Sequence, residues 1–319
     1  MVREIKPPKN TSLYGRAYSS MSQQPMPEIS CRKPYILKAR NRALSLGGRT
    51  LVMGILNVTP DSFSDKGKYF SVEAAVERAW RIAEEGADIL DIGGESTRPG
   101  SQSVTVEEEI RRILPVLEAL AKGQNSYPIP ISVDTSKGEV AGAALEAGAS
   151  IINDITSLTN DASLGKTAAD YGAALILMHM RGSPATMQSM PFSADILGEI
   201  ELWAIEAVAR AERCGVSSDR LVLDPGIGFG KTADQNIEIL VNLSRLAAAG
   251  FPLLVGTSRK SFIGSILKKP AAELVLGTCA TVTAAVLFGA HIVRVHDVAE
   301  IRETADVADR IAGSIGPPV

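Results

Sequence analysis

The sequence predicts a single α/β domain folded as a (β/α)8 TIM barrel, preceded by an N-terminal extension. From Leu51 onward, short apolar runs alternate with longer segments of helical period, which indicates successive βα units and a parallel sheet. Eight such runs occur, and they are nearly continuous in Val, Ile and Leu, as in strands buried on both faces. The 319 residues suffice for one barrel, which commonly needs about 250, and a tail.

The spacing places strands at 51–56, 89–92, 129–133, 150–153, 174–178, 221–223, 253–255 and 292–295. Helices are expected between them, for example at 72–85 and 106–120, each with one apolar face toward the sheet. Eight units favour a closed barrel over the alternative, a six-stranded doubly wound sheet. The turn-rich span 181–195 is expected to be a loop on the active face.

Two segments of different character divide the chain. Residues 1–48 are basic, contain only Glu4 and Glu28 as acids, and show no sustained apolar period. We expect them to form a poorly ordered extension, with the barrel occupying 49–316. An organelle transit peptide is the alternative, but the segment lacks a clear amphipathic helix.

Composition narrows the class of protein. The chain is 45% hydrophobic and 22% charged, a balance typical of a globular protein with a large core. A net charge of −3 gives no basic field for nucleic acid, and no apolar stretch approaches the roughly 20 residues of a membrane span. Three widely spaced cysteines, Cys31, Cys214 and Cys279, suit free thiols in a reducing compartment, and we expect the cytoplasm.

Polar side chains follow almost every predicted strand. One such aspartate alone could be a helix N-cap. Their joint position at the C-terminal ends of parallel strands predicts the site of a small-molecule enzyme, because the loops there build barrel active sites. In chain order they include Asn57, Thr59, Asp61, Glu95, Thr97, Arg98, Asp134, Asn153, Asp154, His179, Asp224, Ser258, Arg259, Lys260, Arg294, His296 and Asp297.

Seven segments in order carry a family resemblance across residues 51–312. They are GILNVTPDSFSD (54–65), DIGGESTRPG (91–100), SVDTS (132–136), IND (152–154), DPGIGFGK (224–231), SRKS (258–261) and RVHD (294–297). In these segments the chain closely resembles the dihydropteroate synthase family of pterin-binding enzymes. One departure is Lys66, where family members commonly have a glycine.

The resemblance implies an activity, a cofactor and an assembly. The expected reaction joins 6-hydroxymethyl-7,8-dihydropterin pyrophosphate to p-aminobenzoate, giving 7,8-dihydropteroate and pyrophosphate with the help of Mg²⁺. Both partners in the reaction are small molecules. A homodimer with contacts around residues 271–288 is also expected.

The pterin edge presents both donors and acceptors, which Asp224, Asn153 and Lys260 can match. The resemblance implies that these three residues hold the pterin, and Met178 and Phe229 are added to the expected pterin pocket. Loss of pyrophosphate leaves a carbocation on the pterin methylene. We expect the Asp134 carboxylate to stabilise that cation and to contact the ring, and we expect no dedicated general base.

The remaining expected site residues serve the pyrophosphate, the metal and the second substrate. Arg294, expected to be catalytic together with Asp134 and Lys260, joins Thr97, Arg98 and His296 around the pyrophosphate. Asn57 is the Mg²⁺ ligand that the resemblance implies. Ser261 is expected to meet the p-aminobenzoate carboxylate, with Phe63 and Pro99 as pocket walls.

Two other functions are compatible with a barrel of this kind. A pterin-binding methyltransferase module shares the barrel and the pterin-recognising residues, but it does not need the 258–261 and 294–296 motifs and acts with a corrinoid partner. A non-catalytic binding protein of the same fold is distinguishable only by assay.

Overall fold

The computed structural model describes residues 32–59, 71–96, 101, 103–122, 127–190 and 192–314. Within these residues the chain forms a β-hairpin followed by alternating strands and helices. The strands are β1 Tyr35–Ala39, β2 Arg42–Leu46, β3 Leu51–Asn57, β4 Ile89–Gly93, β5 Ile131–Asp134, β6 Ile151–Asp154, β7 Ala174–Met178, β8 Leu221–Asp224, β9 Leu254–Val255 and β10 Ile292–Val295. The α-helices are α1 Val72–Glu84, α2 Val106–Lys122, α3 Gly138–Glu146, α4 Ala162–Tyr171, α5 Ile196–Arg213, α6 Ala233–Val241, α7 Leu243–Leu246, α8 Ser261–Leu267, α9 Val275–Leu287 and α10 Val298–Ser314.

Strands β3 to β10 form one parallel sheet in the order β8-β7-β6-β5-β4-β3-β10-β9. The two edge strands meet through a parallel bridge between Leu223 and Leu253, where the Leu223 N–H donates to the Pro252 carbonyl at 3.0 Å. This contact brings the sheet round into a barrel. The predicted barrel and all eight predicted strands are confirmed, with ends shifted by two residues at most. The described residues of the span, 181–190 and 192–195, are irregular as expected, apart from a 3-10 turn at Met187–Ser189.

Two large apolar clusters make up most of the core. The larger lies between the sheet and the helices, where the apolar faces of α1, α2 and the later helices pack onto the strands. The smaller fills the half of the barrel interior that is nearer to the N-terminal ends of the strands, which we call the lower half. Its inward-facing members from the strands are Leu51, Met53, Ile89, Ile151, Ala174, Ile176, Val222, Leu254 and Ile292.

The β1–β2 hairpin corrects our expectation for residues 1–48. Residues 32–48 are ordered, and Leu37, Ala39 and Leu46 join the cluster inside the barrel. The hairpin thus covers the end of the barrel at which the strands begin. Alternation of buried and exposed residues along β1 drives this packing, but the interspersed Lys and Arg made the segment resemble a polar tail. Residues 1–31 lie outside the described residues.

None of the helices in the described parts of the chain is long and apolar enough to cross a bilayer.

Removing a hairpin anchor should destabilise the whole barrel. Leu37 is 2% exposed, and we expect Leu37→Ala to lower the free energy of unfolding by about 2–5 kcal/mol through lost burial and a residual cavity. The neighbouring Ile36 is 55% exposed, so Ile36→Ala should cost about 1 kcal/mol or less. Urea unfolding of both variants measures the difference, and equal effects would show that the hairpin is not an anchor.

Candidate active site

The side chains inside the barrel change from apolar to polar toward the C-terminal ends of the strands. Because side chains on a strand alternate between faces, the residue two positions beyond each inward apolar residue also faces inward. Ile89, Ile151, Val222 and Ile292 are therefore followed by polar side chains at that level. These are Asp91, Asn153, Asp224 and Arg294.

Arg294 lies at the centre of this polar level. Its Nε donates to Asp91 Oδ2 at 2.6 Å, and its Nη2 donates to Asp134 Oδ2 at 2.7 Å. Asn153 Nδ2 also donates to Asp91 Oδ2, at 3.3 Å. Arg294, on β10, thus links β4 and β5 by binding a carboxylate on each strand. The Asn153 amide connects β6 to the same cluster through Asp91.

Burial shifts the titration of these charges. It raises the pKa of Asp134 to about 7, with Arg294 opposing the shift and the nearby Asp91 adding to it. For Arg294, burial opposes the charged form, but Asp91 and Asp134 outweigh it and raise the pKa. Arg294 therefore remains a cation, while burial disfavours the charged form of the Asp134 carboxyl group and Arg294 favours it.

Asp91 is a site residue that our sequence reasoning missed. It lay within a quoted motif but was given no role, although it is fully buried and binds Arg294. Its Oδ1 has no hydrogen-bond partner among the described residues. The available signal was its position in β4, two residues beyond inward-facing Ile89, where an isolated aspartate interrupts an apolar strand.

Asp224, Lys260 and Phe229 form the opposite side of the site. Asp224 Oδ1 accepts from the Gly226 N–H at 2.7 Å, and burial raises the pKa of this carboxyl to about 6. Lys260 Nζ lies 4.0 Å from the centroid of the Phe229 ring, a cation–π contact. Burial and the charge of Arg294 lower the pKa of Lys260 to about 8.

An apolar patch adjoins these charges. Phe229 and Met178 pack with Ile155 and Met187, and all four are buried. A flat aromatic ring could lie against this patch while its polar edge meets Asp224 and Asn153.

His296, which directly follows β10, is hydrogen-bonded to Ser258. The Ser258 Oγ accepts from the His296 backbone N–H at 3.2 Å and lies 3.0 Å from Nδ1. Its own hydroxyl hydrogen can then donate to Nδ1, which leaves the ring hydrogen on Nε2. Burial and neighbouring Arg294 lower the pKa of His296 to about 4, so in the free protein the ring is a neutral donor rather than a cation.

Asn57 ends β3 and faces the same space as Asp134. A Cβ placed on Gly93 would lie 3.7 Å from Asn57 Oδ1 and 3.7 Å from Asp134 Cβ, so this glycine leaves the space between them open. No group of three or more His, Cys, Asp or Glu in the described part of the chain is arranged to hold a metal ion. A single amide oxygen beside substrate phosphates fits a hard cation such as Mg²⁺.

The other predicted residues fall in two groups. Ser261 is exposed at the first position of α8, next to Lys260. Phe63, Thr97, Arg98 and Pro99, and the departure at Lys66, lie outside the described residues. Glu95, which follows β4, pairs with Lys137. Lys137 also donates to Glu109 Oε2 at 2.5 Å and so links the residue that follows β4 to α2.

Histidine titration provides a test of this electrostatic arrangement. Burial lowers the pKa of all three histidines, His179 to about 2 and His291 and His296 to about 4. We expect no imidazole to titrate in proton–carbon NMR spectra between about pH 8 and about pH 5.5. Because the folded values lie below about 6.5, the neutral rings stabilise the fold above that pH, and this contribution is lost as pH falls. A midpoint near 6.5 for His296 would contradict the arrangement.

Comparison with known proteins agrees with the geometry. The model of the family described as pterin binding enzyme matches residues 53–296. A dihydropteroate synthase of Synechocystis is 48% identical over 266 residues, covering 83% of this chain and 91% of that protein.

Two solved structures are also similar. The Yersinia pestis dihydropteroate synthase with a sulfonamide drug complex has a TM-score of 0.81 and 42% identity, covering 87% of this chain and 99% of that one. The Xanthomonas albilineans dihydropteroate synthase with 4-aminobenzoic acid has a TM-score of 0.80 and 43% identity, covering 89% and 100%. The chain therefore belongs to the pterin-binding enzyme family, among the dihydropteroate synthases.

Proposed function

We propose that this chain joins 6-hydroxymethyl-7,8-dihydropterin pyrophosphate to p-aminobenzoate, forming 7,8-dihydropteroate and pyrophosphate. The observation that carries the proposal is the arrangement inside the barrel rim. Arg294 is paired with Asp91 and Asp134 on one side, and Asp224 and Lys260 stand by an apolar patch on the other. This arrangement offers an aromatic slot with a polar edge beside a cation for a phosphate leaving group.

The pterin is recognised by hydrogen bonds along its edge. The Asp224 carboxylate accepts from the 2-amino group and the ring N–H, while Asn153 supplies both a donor and an acceptor. Lys260 donates to the acceptor side of the ring. Phe229 and Met178 provide buried apolar surface against the ring. An unpaired pterin polar edge would be costly here, so the same residues give selectivity.

The proposed chemical step is a dissociative substitution. The bond between the pterin methylene and the pyrophosphate oxygen breaks first, and both electrons leave with the pyrophosphate. Asp134 stabilises the resulting carbocation electrostatically. The neutral amine of p-aminobenzoate then attacks the methylene, and the new bond makes its N–H acidic enough to lose the proton to solvent. No step therefore requires a dedicated general base.

The leaving group and the second substrate are held nearby. With Nε and Nη2 bound to carboxylates, Arg294 retains Nη1 to donate to the pyrophosphate, and His296 adds its Nε2–H. Thr97 and Arg98 are proposed to complete this side. Asn57 would hold Mg²⁺, which when bound would neutralise charge on the pyrophosphate. Ser261 is proposed to bind the p-aminobenzoate carboxylate between Phe63 and Pro99.

Turnover tests the proposal directly. Purified protein with Mg²⁺ and both substrates should release pyrophosphate and form dihydropteroate in equal amounts, measured by coupled phosphate detection and chromatography. Pterin binding without pyrophosphate release under these conditions would refute the proposed activity.

Variants separate the two substrate sites. Asp224→Ala and Lys260→Ala should each weaken pterin binding roughly 10- to 100-fold, since each removes a charged hydrogen bond. Ser261→Ala should mainly raise the KM for p-aminobenzoate. Calorimetry with the pterin and steady-state kinetics measure these effects, and the reverse pattern would overturn our division of the site.

We propose that the chain works as a homodimer in the cytoplasm. Cys214 and Cys279, the described cysteines, are free thiols, as suits a reducing compartment. Helices α9 and α10 pack together and expose Leu276 and Val307, which are 77% and 63% exposed. A surface of this kind fits a self-complementary apolar interface.

Sedimentation equilibrium checks the assembly. The protein should sediment at twice the chain mass of 33.7 kDa, and Leu276→Lys should shift it toward one chain mass. Ile36→Lys is the control, because Ile36 is an exposed residue of the β1–β2 hairpin and belongs to neither α9 nor α10. This variant should leave the dimer intact. A wild-type protein that sediments as a single chain would rule out the homodimer.

A further inference from the structure

Lys231 ends the glycine-rich segment that follows β8, and the reaction outlined above gives it no role. Its Nζ donates to three backbone carbonyls: Gly226 at 2.8 Å, Phe229 at 3.1 Å and His179 at 3.2 Å. An ammonium group has three N–H donors, so these contacts occupy all of them. Among the described residues, no carboxylate oxygen lies within 4.0 Å of this Nζ. The side chain is thus committed to the backbone around it.

The three carbonyls belong to two neighbouring parts of the rim. His179 directly follows β7, whereas Gly226 and Phe229 belong to the loop after β8. Loop and strand end are in close contact, because a Cβ on Gly226 would lie 1.9 Å from the His179 carbonyl oxygen. A Cβ on Gly230 would lie 2.6 Å from the Arg181 carbonyl oxygen. Lys231 therefore connects the end of β7 to the loop after β8, two segments that can approach this closely because Gly226 and Gly230 have no Cβ.

The loop that Lys231 holds carries the pterin side of the site. The Gly226 N–H donates to Asp224 Oδ1 at 2.7 Å and so orients that carboxylate. The Phe229 ring lies under Lys260 Nζ at 4.0 Å. A Cβ on Gly228 would lie 3.0 Å from Lys260 Cδ, which places the loop backbone against the lysine stem as well. A displaced loop would therefore move an acceptor, a donor and the apolar patch together.

We propose that Lys231 is a positioning residue, which fixes the 226–230 loop and thereby sets Asp224, Phe229 and Lys260 for pterin binding without itself touching substrate. The inference rests on the proposed function and adds a determinant of pterin affinity to it. The buried ammonium is costly to hold, since burial lowers the pKa of Lys231 to about 7. Carbonyl dipoles on three sides offset that cost only while the loop keeps its shape.

The test compares Lys231→Met with wild type. Methionine keeps an unbranched side chain as far as Cε and removes the ammonium group with its three donors. We expect the Kd for the pterin pyrophosphate to rise at least tenfold, with the KM for p-aminobenzoate changed less than twofold. Lys231→Arg, which retains donors, should recover most of the affinity. Lys166→Met is the matched control, because Lys166 is an exposed lysine on α4 that pairs with Asp170 at 2.9 Å, and it should behave as wild type.

Two further measurements distinguish positioning from other roles. The ring current of Phe229 should shift the Lys260 side-chain protons upfield in NMR spectra, and Lys231→Met should abolish this shift while Lys166→Met preserves it. Calorimetry with 6-hydroxymethylpterin, which lacks the pyrophosphate, should show the same loss of affinity as the full substrate. If only the pyrophosphate-bearing compound loses affinity, Lys231 contacts the phosphates and the proposal is wrong.

Further results with the Lys231 variants would overturn the proposed positioning role. A folded Lys231→Met protein with pterin affinity within twofold of wild type would overturn the proposal, as would equal losses for both substrates. If Lys231→Met does not fold, Lys231→Arg with altered Lys260 shifts and unaltered pterin affinity would overturn it. Wild-type protein that fails to turn over would instead refute the proposed activity, so the two failures are distinguishable.

Discussion

The pairing of Arg294 with Asp91 and Asp134 is the interaction on which the upper half of the barrel depends. Three ionisable groups inside a barrel would each be unstable alone, because burial removes the solvation of a charge. Together, one cation satisfies parts of two carboxylates, and Asn153 adds a hydrogen bond to Asp91. The cluster is only partly satisfied, since Asp91 Oδ1 lacks a partner among the described residues. Such incomplete satisfaction is typical of a surface prepared for a polar ligand.

The lower half of the barrel makes this polar level possible. Its interior is filled by aliphatic side chains from the strands and by Leu37, Ala39 and Leu46 of the hairpin. This packing excludes water from below, so the charges above it interact in a medium of lower polarity than bulk solvent. The raised pKa of Asp134 and Asp224 and the lowered pKa of Lys260 follow from that burial. The hairpin thus contributes to site electrostatics from the opposite end of the barrel.

Apolar periodicity was sufficient to predict the barrel, because eight buried parallel strands leave eight nearly continuous runs of Val, Ile and Leu. The same criterion missed the hairpin, where lysine and arginine alternate with the buried Leu37 and Ala39. Residues that end or follow the strands, such as Asp224 and Lys260, could be proposed from the sequence because barrel sites lie at the C-terminal ends of the strands. Asp91 lies within a strand, and Lys231 acts on backbone carbonyls. Neither role leaves a motif of its own, so both required the packed structure to be recognised.

Burial of Asp134 also bears on how the proposed reaction is accelerated. In the free protein its carboxylate is disfavoured by burial and by Asp91, and Arg294 compensates only in part, which holds the pKa at about 7. A pyrophosphate that engages Arg294 would draw on the same positive charge and disfavour the carboxylate further. A cation forming on the pterin methylene restores a positive partner and favours the charged form. Under the proposed mechanism the interaction would therefore be stronger in the transition state than with bound substrate, which is the condition for an interaction to raise kcat rather than only to tighten binding.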